Sequence, residues 1–236
     1  MFSKQKIKLL ESSKLKRYLA YAFGEILLIV IGISIAVLIN NAVEKNKQEQ
    51  VLNIILKNIS YDLETDLKEV DIVLENYENQ ESLFSFVLDS LDAGRSIKDC
   101  VYCPQVLTSA VPFSLRTRGY QQFANYKEDK VNNTDSLIFD ISNFYSSYTK
   151  LTEVVNNLLL DDTHDNLNYL KINYPHFKDL FTDKEIEGRM DFFMNNTEFV
   201  NRVALREILN YANHVSLLKS YKKDAAGLLE DIKKKL

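Results

Sequence analysis

Hydrophobic and polar positions divide this chain into one unbroken apolar run and a series of amphipathic periods behind it. From Ala20 to Ile39 the sequence reads AYAFGEILLIVIGISIAVLI, 20 residues with a single charge, Glu25. A helix of that length rises about 30 Å, the thickness of a bilayer's hydrocarbon core. The run therefore predicts a transmembrane helix over residues 18–40. A buried core helix is one rival, and a cleaved signal peptide is another. The apolar region of a signal peptide is shorter, roughly 7–15 residues, and ends in small residues at the cleavage site. Here the run exits into Asn40-Asn41-Ala42-Val43-Glu44, which favours an uncleaved signal anchor.

Behind the span, residues 46–92 contain no Gly or Pro. Leu56, Ile59, Leu63, Val70, Val73, Tyr77, Phe84, Val87 and Leu91 fall on three- and four-residue steps, with Asp66 and Gln80 in the two polar slots. That spacing predicts an amphipathic helix of about 45 residues, continuous with the span or separated from it by a short break. Ile54, Ile55 and Leu88 widen the strip beyond a coiled-coil seam, so it reads as a bundle face. Asp92-Ala93-Gly94 supplies a glycine cap. Residues 94–113 are the least regular stretch. A short helix is expected over 114–126. A long one starts at Asn132–Asp135, carries apolar residues from Leu137 to Leu170, and breaks at Tyr174-Pro175.

Phe177 to Phe181 reads as a turn. Thr182 with Glu185 reads as a capping box opening a short helix. Thr197 opens a last helix to the C-terminus, with Phe199, Val203, Ile208, Tyr211, Val215, Leu218, Tyr221, Leu228 and Ile232 on its inner side. Lys233-Lys234-Lys235 suits the negative end of its dipole. The expected fold is all-α: an N-terminal transmembrane helix followed by an extramembrane helical bundle with long helices. The expected division is a tail at 1–17, a span at 18–40 and a helical domain at 41–236.

Charge adds an orientation. Residues 1–17 carry six Lys/Arg against Glu11, a net +5, which leaves −9 for the rest of a chain whose total is −4. The positive-inside rule places the basic tail in the cytoplasm and the acidic domain outside it. In a Gram-negative bacterium that is an inner-membrane protein with a periplasmic domain. An acidic domain also argues against nucleic acid as a partner, because phosphate binding needs a basic face.

Two features of the span go beyond anchoring. Ala20, Gly24, Gly32, Ala36 and Asn40 share one four-residue row, interrupted by Leu28. Gly24, Gly32 and Ala36 would let a second membrane helix approach closely; a chance run of small residues is the alternative. Glu25, about one turn inside the cytoplasmic boundary, is an intramembrane ionisable residue and so a candidate contact, or a carboxylate that snorkels toward Lys14 or Arg17.

Candidate chemistry is sparse. Cys100 and Cys103 are the only cysteines. Without a parallel sheet they do not read as a redox motif, and His164, His176 and His214 are too scattered to complete a zinc site. Outside the cytoplasm the pair reads as one local disulfide. The run Asp161-Asp162 with His164 and Asp165 could take a divalent cation, but such runs are more often solvated helix faces. Arg116 and Arg118, beside Gly119 and Tyr120, are candidates for an anionic ligand; pairing with acids of neighbouring helices is the stronger alternative. Asp89-Ser90-Leu91 and Asp135-Ser136-Leu137 fit a three-residue O-glycosylation pattern that arises often by chance. No phosphate-binding loop, dinucleotide fingerprint, zinc-protease motif or nucleophile elbow is present, so no cofactor is expected.

The stretch YLAYAFGEILLIVIGISIAVLINNAVE resembles the N-terminal signature of a large uncharacterised family of single-pass membrane proteins from Bacteroidota. The matching positions are Tyr21, Ala22, Gly24, Glu25, Gly32, Ile33, Ile35, Ala36, Asn40 and Asn41. SLRTRGYQQF resembles that family's leucine-x-x-x-glycine element, FDISNFYSSY its aromatic helix, and NTEFVNRVALREILNYANH the start of its last helix. Val43 stands where members often carry Trp, and the Cys pair lies outside the pattern. The resemblance implies single-pass topology and carries no activity. The expectation is a non-enzymatic envelope protein that assembles with itself or with a membrane-protein partner. The alternative is a sensor-like helical domain that binds a small ligand and signals through a membrane partner.

Overall fold

An uninterrupted run without Gly or Pro after the span propagates as one helix. In the computed structural model, which describes residues 4–88, 103–130, 136–182, 184 and 186–236, the first helix α1 runs Lys4–Leu88. The chain divides into two compact units, Met1–Ile54 and Ile55–Leu236, and α1 contributes to both. No strand occurs among the described residues, and the fold is all-α, as the periodicity predicts.

In the first unit, residues 25–47 are exposed throughout. One helix among the described residues is long and apolar enough to cross a membrane, and none of its most apolar stretch is buried. A core helix of a soluble domain would be mostly buried, so that reading of the run does not fit.

In the second unit, the α1 positions picked out by spacing line the core. Leu56, Ile59, Leu63, Val70, Val73, Tyr77, Phe84 and Val87 are all buried. Of the flanking residues, Ile55 is buried and Ile54 is exposed. Leu91 and the expected glycine cap at 92–94 lie outside the described residues.

The stretch expected to be irregular contains a buried helix, α2 (Cys103–Thr108). Its six residues are too few to show a helical period in sequence. Residues 109–117 then run without regular structure, and Asn156 holds them by both amide groups. Its Oδ1 accepts from the Phe113 N–H at 3.2 Å, and its Nδ2 donates to the Phe113 carbonyl at 2.7 Å.

The short helix follows as α3 (Arg118–Lys130) and the long one as α4 (Ser136–Asn173), which ends before Tyr174-Pro175. A single 3-10 turn spans Phe177–Asp179. Glu185 of the capping box expected at Thr182 lies outside the described residues. The Thr182 hydroxyl donates back to the Asp179 carbonyl, and the next helix, α5 (Arg189–Asn195), starts later, after Gly188 in the left-handed region (φ 75°). The buried Arg189 guanidinium donates to the carbonyls of Leu180 and Thr182, at 2.9 Å each, and so gathers this segment without a helix.

The last helix has three parts: α6 (Thr197–Glu207), a π-helical segment (Ile208–Val215) and α7 (Ser216–Lys235). Asn196 caps α6, its side chain accepting from the Phe199 N–H. Of the inner positions expected here, Ile208 is 55% exposed, which is a correction. The buried line instead passes through Arg206, Asn210, His214 and Leu218. Those three steps cover twelve residues, whereas three α-turns need about 11. The wider π-turn absorbs the extra residue and rotates Ile208 out of the core.

Aromatic rings pack against one another in the core of the second unit. Tyr120 stacks on Tyr145 at 4.5 Å between centroids, and Phe113, Phe144 and Tyr148 surround Tyr221. A second cluster joins Phe84, Cys103, Leu107, Tyr174, Phe193 and Phe199.

Candidate functional site

Three buried polar constellations interrupt the apolar core of the second unit. The first fills the polar slot at Asp66. This carboxylate is fully buried, and three donors converge on it: the Arg116 main-chain N–H at 3.0 Å, the Arg116 guanidinium at 2.6 Å and the Tyr221 hydroxyl at 2.9 Å. Burial pushes the Asp66 carboxyl above its usual range, and the three hydrogen bonds pull the other way. Since every partner donates, the carboxylate acts here as an ionised acceptor. The same guanidinium reaches Glu69 at 2.7 Å, and the two acids together drive its affinity for a proton higher still. Burial and the adjacent Asp66 charge raise the Tyr221 phenol, so it stays a donor.

One turn earlier, the Asp62 carboxylate accepts from the Gly119 N–H at 2.8 Å. That contact requires glycine. A Cβ at position 119 would stand 2.7 Å from the Ile59 nitrogen and 2.9 Å from the Asn58 carbonyl carbon. The α3 backbone rests directly on α1, and Asp62 and Asp66 hold the segment 116–119 from below.

The second constellation centres on Arg206, whose side chain is fully buried. Its Nε donates to Asp162 at 2.5 Å, and its two terminal nitrogens donate to the Ser109 carbonyl, the Leu107 carbonyl and the Thr163 hydroxyl. One residue thus ties α6 to α4 and to the end of α2. A buried arginine needs this many acceptors, because a charge removed from water is costly unless it is paired and hydrogen-bonded. Arg202, one turn before, bonds Asp165, Glu198 and Asn166 and lies over the Tyr169 ring at 4.3 Å. The run 161–165 therefore supplies counter-ions to two arginines. Among the described residues, no group of three His, Cys, Asp or Glu side chains is placed to hold a metal.

The third is His214, at the end of the π-helical segment. It is 1% exposed, its Nδ1 lies 2.7 Å from the Tyr77 hydroxyl, and its Nε2 has no hydrogen-bond partner. Burial pushes its pKa down to about 4, so the ring is neutral near pH 7. Burial also raises the Tyr77 phenol, and the Tyr211 hydroxyl donates to the Tyr77 carbonyl at 2.9 Å.

The residues picked from sequence fall in different places. Arg116 donates through Nη1 to both Asp66 and Glu69, and its side chain is 40% exposed. Pairing with acids of the neighbouring helix was the alternative for it. Arg118 is exposed on the first turn of α3. Cys103 is fully buried and disulfide-bonded; Cys100 lies outside the described residues. Glu25 and Ala36 are exposed on α1, and nothing stands within 4 Å of where a Cβ would project at Gly24 or Gly32.

Sequence reasoning did not select Asp62, Arg206 or His214. The signal for Arg206 was its position three residues after Val203 and four before Asn210, on the buried line. A regular α-helical count moves that line onto Ile208 and hides it.

These features define an all-α protein with one helix suited to crossing a membrane and a bundle pinned by buried ion pairs. The chain belongs to a family of unknown function (DUF6090), whose pattern matches residues 25–210. The match begins at Glu25 in the apolar run of α1 and ends at Asn210, so it takes in Asp62, Asp66, Arg116, Gly119, Asp162 and Arg206. Neither the curated proteins nor the solved structures contain a match to this chain.

Proposed function

We propose that this is a non-enzymatic envelope protein, anchored by α1 in the inner membrane and assembling with itself or with a membrane-protein partner through that span. The N-terminus faces the cytoplasm and the acidic helical domain faces the periplasm. The observation that carries the reading is the bare row on the span. Gly24 and Gly32 leave backbone uncovered, with nothing within 4 Å, and Ala36 continues the row. Backbone exposed in this way lets a second helix approach closely and gain dispersion contacts that lipid chains supply less well. Six Lys/Arg before the span set the orientation. The buried ion pairs of the bundle close on themselves: Asp66 on Arg116, and Asp162 on Arg206. That arrangement suits a rigid scaffold better than a reacting centre. The same logic pairs Cys103 with Cys100, the chain's other cysteine.

The test is crosslinking in native membranes. The double substitution Gly32→Ile and Ala36→Ile places branched side chains on the row and is expected to abolish the crosslinked species and any co-purifying partner. Crosslinking and co-purification unchanged by the double variant would remove the proposal. Orientation is checked separately, with a cysteine placed near the C-terminus. It should react with an impermeant reagent once the outer membrane is opened, without lysis of the inner one.

A further inference from the structure

The last helix runs antiparallel to α4: Asp162 meets Arg206, while Tyr148, earlier in α4, donates to Asp224, later in the last helix, at 2.6 Å. An open groove of about 580 Å³ lies between α4 and α7. None of the roles above uses it. Its floor is apolar, with Phe144, Tyr148 and Leu228 buried beneath it. Along α4 it extends from Asp140 to Leu151, about 16 Å of helix. Gly227 forms part of its α7 wall. Glycine inside a helix is less stable than alanine, because it gives up more backbone freedom on folding. Nothing in the bundle calls for glycine here. Its φ is not left-handed, and nothing stands within 4 Å of where a Cβ would project. The missing side chain leaves α7 backbone bare on the groove side, where another backbone can approach closely.

The charges of the groove are uneven. Asp140, Asp224 and Asp231 stand against a single cation, Lys223. Asp224 is engaged by Tyr148 at mid-groove. Asp140 precedes Tyr148 by about two turns, and Asp231 follows Asp224 by about two turns, so in the antiparallel pair both mark the same end. Asp231 meets Lys234 at 3.1 Å, an exposed pair of little strength. Asp140 makes no ion pair among the described residues. We propose that this groove receives an amphipathic helix of a protein partner. The helix lays apolar side chains on the floor of Phe144, Tyr148 and Leu228, and a Lys or Arg at the end beside Asp140 and Asp231. Recognition of this kind reads apolar anchors three and four residues apart, and about three turns of helix fill the groove's length. The acidic end fixes the direction in which the helix lies. Charge also argues against a second copy as occupant. Outside residues 1–17 this chain carries a net −9, so copies meeting here would face like charge. The groove shares no residue with the small-residue row on α1, so the inference survives or fails apart from the assembly proposal.

The test uses the full chain in detergent and the fluorescent peptide KKQALLQALAQALQ, which places leucines on one helical face and lysines at one end. Anisotropy is read against detergent alone, and a second peptide carries Glu in place of both lysines. Saturable binding of the lysine peptide is expected, at least tenfold tighter than that of its Glu counterpart. The double variant Asp140→Asn and Asp231→Asn should reduce that preference several-fold. Gly227→Leu fills the groove and should weaken the lysine peptide at least tenfold. Gly227→Ala, which adds a methyl group in open space and favours the helix, should weaken binding several-fold with no fall in melting temperature. Absence of saturable binding, equal affinity for the two peptides, or affinity unchanged in both Gly227 variants would each overturn the proposal. So would a dimer of the unmodified chain that Gly227→Leu abolishes, since the groove would then belong to a second copy.

Discussion

Replacing Gly119 by Ala probes a close backbone contact between α3 and α1. The added Cβ would stand 2.7 Å from the Ile59 nitrogen, where ordinary contact begins near 3.4 Å. The obstructing atoms are α1 backbone, which cannot rotate aside, so α3 must retreat by about 0.7 Å. That retreat has a second consequence. The Gly119 N–H to Asp62 bond, 2.8 Å in the native fold, would stretch to about 3.5 Å, the outer limit of a hydrogen bond. Asp62 is 6% exposed and would have little water to replace it. Overpacking costs about 1–3 kcal/mol, and losing a bond to a buried charge costs about 1.5–3 kcal/mol. The two effects share one displacement, so they overlap, and about 3 kcal/mol is expected for the pair. For a folded unit of this size that corresponds to a fall in melting temperature of roughly 6–12 °C. Thermal unfolding of the full chain in detergent, followed by circular dichroism, measures it. A melting temperature within about 2 °C of the unmodified protein's would show that α3 moves freely and that the contact does not organise the segment 116–119.

Other substitutions test the remaining polar core. Arg206→Met leaves the half-buried Asp162 without its cation, with the Asn166 amide still donating to it, and removes the donors to Leu107 and Ser109. A loss of about 3–5 kcal/mol in denaturant unfolding is expected, and Arg206→Lys should recover only part of it, since a single ammonium cannot reach all four acceptors. His214 gives a pH dependence. Its folded pKa of about 4 lies below the unfolded value of 6.5, so the unfolded chain takes up the proton first. The stability associated with the neutral ring is therefore complete above about pH 6.5 and is lost as pH falls toward 4. Between pH 7 and pH 4.5 the loss amounts to about 2 kcal/mol. His214→Gln should remove that part of the slope, and parallel pH profiles for the two proteins would refute the assignment.

The sequence by itself determined the long apolar helix, the helical class and most of the core. Those properties follow from local periodicity: twenty apolar residues in a row, and three- and four-residue steps from Leu56 to Val87. A helix face is fixed by its own spacing, whatever it packs against. Asp66 was legible as an interruption of that spacing, though nothing local named its partner. Tertiary structure decided which charges meet. Arg116 reaches Asp66 across fifty residues and Arg206 reaches Asp162 across forty-four, and no period in the chain encodes either pairing. It also decided the register of the last helix. The π-turn at Ile208–Val215 turns Ile208 outward and aligns Arg206, Asn210 and His214 with the core. Tertiary structure also turned the Thr182 hydroxyl back to the Asp179 carbonyl and gathered the carbonyls of Leu180 and Thr182 around the Arg189 guanidinium.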